Sequence, residues 1–213
     1  MTDENIDRVD PKRYEMVGWL SITSAVLLFP SMLLGIILEV GSGPVMLALL
    51  IPYVLVFGLS VGLSLYALYR FKDLLNDRYQ FHDVDNLITA IVILGSVMLV
   101  VAIGARVVGT FVGINVQDPA TLIPIAFAGA AFFAIIGLPL SILSIIFAVK
   151  LLRLRDDLGG LLKPYALTTI VAAAMFATFL LAFLGFFLDA ACSVMLGLIF
   201  LRASRGTPQP EFV

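Results

Sequence analysis

Long uncharged stretches separated by short charged ones set the pattern of this chain. No charged residue occurs between Met16 and Leu38, and similar runs recur down to Leu201. A helix rises about 1.5 Å per residue, so about 20 apolar residues cross a hydrocarbon layer of about 30 Å. On that ruler the sequence predicts helices near 17–38, 45–70, 87–108, 121–150, 165–184 and 187–203. The last two share one stretch from Tyr165 to Leu201, which as a single helix would reach about 55 Å, too long even when tilted. Gly185 and Asp189 predict a turn in its middle. The expected fold is all-α: a polytopic membrane protein of six transmembrane helices arranged as three hairpins. A polar N-terminal segment (1–16) and a short tail (204–213) flank a single transmembrane domain (17–203).

The basic residues give this pattern a direction. Arg8, Lys12, Arg13, Arg70, Lys72, Arg78, Lys150, Arg153, Arg155, Lys163, Arg202 and Arg205 all fall on the side of the N-terminus in a six-span chain, and only Arg106 falls opposite. Cytoplasmic loops carry such a Lys/Arg excess, so both termini are expected in the cytoplasm. Tyr14, Trp19, Tyr66, Tyr69 and Tyr165 fall at the same helix ends, where an amphipathic ring suits the headgroup layer. The charge-free run from Met16 is longer than the apolar part of a cleavable leader and predicts a retained anchor.

Composition agrees and narrows the chemistry. Of 213 residues 61% are hydrophobic and 13% charged, too little polar surface for a water-covered sphere. Thirteen basic against fifteen acidic residues leave no surplus to hold a phosphate backbone, so no nucleic-acid partner is expected. The lone Cys192 predicts no intramolecular disulfide, and with the lone His82 it leaves little for nucleophilic, haem or zinc chemistry. No ionisable residue falls in the middle of a predicted span, which disfavours proton-coupled pumps and intramembrane proteases. No enzyme activity, metal or cofactor is expected. The missing cysteine pairs fit a bacterial-type inner membrane.

Four groups of residues remain as candidates. Glu39, Arg106 and Asp189 end the three odd-numbered predicted helices at the far side, each four residues after Gly35, Ala102 or Gly185. They are expected to form one outer charge cluster that clasps the hairpins together. His82, Asp83 and Asp85 share a loop in which an aspartate is expected to cap the third helix rather than bind a metal. Small residues recur at helical spacing: Gly58 with Gly62; Ala126, Ala130 and Ala134; Thr169, Ala173 and Ala177. Such rows let membrane helices pack closely. Finally, Ser60, Ser64, Ser141 and Ser144 lie on helices two and four, where Pro52 and Pro139 interrupt the backbone, as Pro30 does in helix one. Together with carbonyls freed by proline they could line a pathway. Beyond the basic helix ends, bases that snorkel and pair with acids at i+3 or i+4 are the expected explanation of the charged extensions, with docking of a partner on Leu74, Leu75, Leu158, Leu161 and Leu162 as the alternative.

Two functions fit these features. The first is a non-enzymatic protein that acts through helix packing, as an accessory subunit of a membrane complex or as a homo-oligomer, with the lipid bilayer and a membrane partner or a second copy around it. The second is a small channel or facilitator for a neutral or weakly polar solute.

Overall fold

Proline opens three helices of the computed structural model, which describes residues 11–40, 44–115, 119–154, 160–178 and 182–205. Its fixed φ suits the first turn, and its missing N–H is one that a helix start leaves unbonded anyway. The elements are α1 (Pro11–Val40), α2 (Pro44–Tyr79), a 3₁₀ turn (His82–Val84), α3 (Asp85–Asn115), α4 (Pro119–Leu151), α5 (Leu162–Ala177) and α6 (Ala182–Ser204). Among the described residues there is no strand. Five helices are long and apolar enough to cross a membrane, whereas α5 is apolar but only 16 residues long. Residues 1–10 and 206–213, the bulk of the expected polar ends, lie outside the described residues.

The stretch from Tyr165 to Leu201 is two helices, but the break comes earlier than Gly185. Thr178 follows the last residue of α5 and its hydroxyl donates to the Met175 carbonyl at 2.9 Å. Gly185 lies inside α6, where a Cβ would stand 3.2 Å from the Phe176 ring of α5. The glycine is therefore a contact point between the two helices rather than a turn. Phe176 then meets Phe186 edge-on at 5.3 Å.

Each helix packs on its neighbours in sequence, and α6 returns against α1. Six antiparallel helices thus close into a ring. The starts of α1, α3 and α5 and the ends of α2, α4 and α6 gather at one end, called the terminal end below. There the ring is filled. Phe71, fully buried, meets Tyr165 at 5.7 Å, Phe200 at 6.1 Å and Phe147 at 6.4 Å, all near edge-on, and Tyr14 lies 6.0 Å from Phe200. Five helices contribute a ring to this plug, and such tilted pairs suit the aromatic quadrupole.

The plug revises two sequence expectations. Tyr14 and Tyr165 are buried in it, while Trp19, Tyr66 and Tyr69 are exposed at the surface. Leu74, Leu75 and Leu162 are fully buried beneath it and offer nothing to a docking partner; Leu158 lies outside the described residues.

The tightest crossing joins α1 to α6. A Cβ on Gly18 would stand 2.9 Å from the Gly197 carbonyl oxygen, and one on Gly197 would stand 2.7 Å from that of Gly18. Backbone touches backbone here, which only glycine on both sides permits. One turn further, the Ser21 hydroxyl donates to the Ser193 carbonyl at 2.7 Å.

Candidate functional site: a hydroxyl-lined cavity inside the helix ring

Above the aromatic plug the ring does not fill. A cavity of about 600 Å³ lies between the helices, within the size range of small-molecule sites. Phe147, Tyr165 and Leu196 belong to both the plug and the lining, so the plug is the cavity's floor. The walls are mostly apolar, with Phe57, Leu65, Met98, Leu99 and Phe176 among them. Hydroxyls interrupt them at helical spacing: Ser60 and Ser64 on α2, Ser141 and Ser144 on α4, Thr169 on α5 and Ser193 on α6. The structure brings all four serines predicted for a pathway into this one lining.

Most of these hydroxyls already spend their proton. Ser60 donates to the Ser24 carbonyl at 2.8 Å, Ser144 to the Leu140 carbonyl at 2.9 Å and Thr169 to the Tyr165 carbonyl at 2.8 Å. Ser64 and Ser193 face each other at 3.4 Å. Bonding back to a carbonyl lets a serine sit in an apolar helix without an orphaned donor, and it leaves oxygen lone pairs toward the cavity. The prolines contribute less than expected. Proline frees the carbonyl four residues earlier, and Val26, Ala48 and Ile135 are all exposed on the outer surface, none of them in the lining. The polar character of the cavity therefore rests on side chains.

Of the predicted outer trio, two members meet. The Arg106 guanidinium pairs with the Glu39 carboxylate, donates to the Gly35 carbonyl at 2.9 Å and lies 5.5 Å from the centre of the Tyr53 ring. This clasp joins α1, α2 and α3 at the far end of the ring. Tyr53 stacks on Phe57 at 5.6 Å, so the clasp and the cavity share a wall.

Asp189 is not with them; it lines the cavity. Its depth follows from the α1–α6 contacts. Gly18 faces Gly197 and Ser21 faces Ser193, so the next antiparallel step sets Ala25 and Val26 beside Asp189 and Ala190. That is the midpoint of α1, so the expectation that no ionisable residue lies at mid-depth fails at Asp189. Glu39 lies about 20 Å further along the axis at 1.5 Å per residue. On α6, Leu184, Phe187, Val194 and Leu198 form the outward apolar face, and at 3.6 residues per turn Asp189 points about 170° away from it. The carboxyl is deep in the protein yet has open surface, because that surface faces the cavity. Among the described residues no donor and no cation reaches it.

A Cβ on Gly58 would meet only Ile103, at 3.6 Å, and one on Gly62 would meet nothing within 4 Å. Both lie on the outward face of α2 that Ile51, Leu55 and Leu59 expose, and neither is at a tight crossing within the chain. Ala173 is buried and, with Thr169, lines the cavity, while Ala177 is half-buried at the end of α5. Ala134 is half-buried on α4; the side chains of Ala126 and Ala130 lie outside the described residues. In the loop before α3, Asn76 donates to both oxygens of Asp85 at 3.0 Å, with His82 Nδ1 at 3.4 Å from one of them. Asp83 is held through its carbonyl, which accepts from Lys150 Nζ at 2.9 Å. These contacts tie the loop to α2 and α4, and among the described residues no group of three or more His, Cys, Asp or Glu side chains converges.

Sequence reasoning missed the Gly18–Gly197 crossing, although Gly18, Ser21 and Ala25 on α1 and Ser193 and Gly197 on α6 are small residues at helical spacing. Comparison with family models, with curated proteins and with solved structures finds no match for this chain.

Proposed function

We propose that this chain is a membrane-embedded facilitator for a small solute with an apolar body and a few polar groups. The observation that carries the reading is the cavity itself: about 600 Å³ inside a ring of apolar helices, lined by hydroxyls from α2, α4, α5 and α6. A structural subunit has no need of such a space, and filling it would stabilise the bundle. The bilayer surrounds the outer apolar surface, both termini face the cytoplasm by the Lys/Arg distribution, and an inner membrane is the expected home. The plug closes the cytoplasmic side of the cavity, and the Arg106 clasp stands over its opposite wall.

The test is solute entry into proteoliposomes, followed by light scattering after an osmotic step with a series of small polyols and amides. Wild-type protein is expected to speed recovery for some of them, and Ser64→Leu or Ser144→Leu, which put a branched side chain into the lining, to abolish that gain without loss of helix content. Vesicles as tight as protein-free ones toward every solute, with a fixed membrane partner co-purifying, would speak for an accessory subunit instead.

That second reading has its own observation. Gly58 and Gly62 leave a shallow small-residue row on the outward face of α2, where no described residue comes within 4 Å of a Cβ placed on Gly62. Such a row suits close approach of a helix from a second copy or another membrane protein. The two readings are compatible if the facilitator self-associates through α2.

A further inference from the structure

Asp189 is the one formal charge in the cavity lining among the described residues, and it is negative. A carboxylate at that depth is unfavourable unless a proton or a cation neutralises it. Among the described residues no cation is offered to it. No lysine, arginine or histidine is in the lining, and Arg106, the base at the far end, is engaged by Glu39 and Gly35 about 14–20 Å along the axis. The other titratable groups of the lining, the Tyr165 phenol and the Cys192 thiol, carry no positive charge in any state.

The surroundings of Asp189 select among cations. Calcium and magnesium require six or more oxygen ligands in the first shell, whereas here a single carboxylate stands among apolar walls and a few hydroxyls. Phe186 lies one turn before Asp189 on α6, and Phe176 of α5 packs edge-on against it. Both rings line the cavity. Aromatic rings beside a carboxylate suit an organic cation, whose charge is diffuse and whose body is apolar. The single carboxylate sets its charge at one.

We propose that the cavity binds a hydrophobic monovalent organic cation, an amine or onium compound, with Asp189 as its counter-ion. This deepens the reading of the cavity as a solute site and rests on it. The solute is then not neutral, as the sequence suggested, and the four serines provide the less specific part of its lining.

The experiment uses the full-length protein in nanodiscs of zwitterionic lipid. Two probes of similar shape are compared: radiolabelled tetraphenylphosphonium, and uncharged triphenylphosphine oxide. Asp189→Asn is expected to weaken binding of the cation by about tenfold or more and that of the neutral probe by less than about twofold. Asp189→Glu, which keeps the charge, is expected to retain cation binding, and Ser144→Leu to abolish binding of both probes. Because Asp189 has no partner among the described residues, Asp189→Asn is expected to melt no lower than wild type; should it fail to fold, Asp189→Ser takes its place. Cation affinity unchanged in Asp189→Asn, with both probes still blocked by Ser144→Leu, would overturn the assignment of Asp189 and leave the cavity reading standing. Failure of both probes to bind wild type, or binding indifferent to Ser144→Leu, would overturn the cavity reading and this inference with it.

Discussion

The α1–α6 crossing closes the ring, and Gly197→Ala tests whether backbone contact holds it. The added Cβ would stand 2.6 Å from Ile22 Cγ1 and 2.7 Å from the Gly18 carbonyl oxygen. Ile22 can change rotamer, but a carbonyl inside a helix cannot turn away. The helices must instead part by about 0.7 Å to restore ordinary contact, and a gap of that size forfeits a quarter to a half of each dispersion well along the seam. The same movement stretches the Ser21–Ser193 bond from 2.7 Å toward the limit of hydrogen bonding, a loss of about 0.5–1.5 kcal/mol. Overpacking of this kind costs about 1–3 kcal/mol by itself, so the expected total is about 2–4 kcal/mol. Gly62→Ala is the control, because nothing lies within 4 Å of its Cβ; there alanine is expected to be neutral or to gain about 0.5–1 kcal/mol of helix propensity. Unfolding by a denaturing detergent added to mild micelles, followed by far-UV circular dichroism and by the fluorescence of Trp19 beside Gly18, measures both variants. In the double variant Gly18→Ala/Gly197→Ala the second substitution should cost much less than the first, since the helices have already separated. Equal stability of Gly197→Ala and Gly62→Ala, within about 0.5 kcal/mol, would refute the argument.

Three further outcomes follow from the ends of the ring. Phe71→Ala removes the fully buried ring that three other aromatics surround, and a loss of about 3–5 kcal/mol is expected in the same unfolding assay; a loss below about 1 kcal/mol would mean that the plug does not hold the terminal end together. Arg106→Ala removes an ion pair, a bond to the Gly35 carbonyl and a contact with the Tyr53 ring, for an expected loss of about 1–3 kcal/mol. Glu39→Gln should lose less than about 1 kcal/mol, because the Glu39 side chain is 71% exposed and such pairs contribute little. Equal losses for the two variants would place the strength of the clasp in the ion pair rather than in Gly35 and Tyr53.

The parts of this fold that sequence reveals are those set by single-helix length. Uncharged runs measured against helical rise give six helices, and the excess length of Tyr165–Leu201 requires a break. The serines of α2 and α4 are legible too, since i, i+3 and i, i+4 spacing fixes one face of each helix. Which way that face turns is a property of the ring. Gly58 and Gly62 show the limit: their spacing matches a helix–helix contact, yet they lie outward, while the contact uses Gly18 and Gly197, whose small-residue rows stand 179 positions apart with nothing in the sequence to pair them. Tyr14 and Tyr165 show another. A tyrosine at a helix end suits a headgroup layer, but Phe71 and Phe200 offer it a larger apolar contact inside, and Tyr14 keeps its hydroxyl satisfied by donating to Asp77 at 2.7 Å.

Asp189 is the residue whose role depends most on register between helices. Counted along its own chain, it ends an apolar run four residues after a glycine, in the same way as Glu39 and Arg106. Set against α1, it occupies a different level. The Gly18–Gly197 and Ser21–Ser193 contacts fix α6 against α1 as an antiparallel pair. Carried outward, that pairing uses up α6 at Ala182, about two turns before α1 reaches Glu39. No part of α6 stands beside Glu39, so Asp189 has no route to Arg106 whatever its rotamer. The short α5, with 16 residues against 33 in α4, sets this limit: a helix of about 24 Å turns back before the far end, and its partner must begin there. The shortened hairpin moves a carboxyl from the rim of the ring to its middle and leaves it facing the cavity. A chain that needed only a clasp would gain from lengthening α5 by two turns; this one keeps the hairpin short and its acid inside.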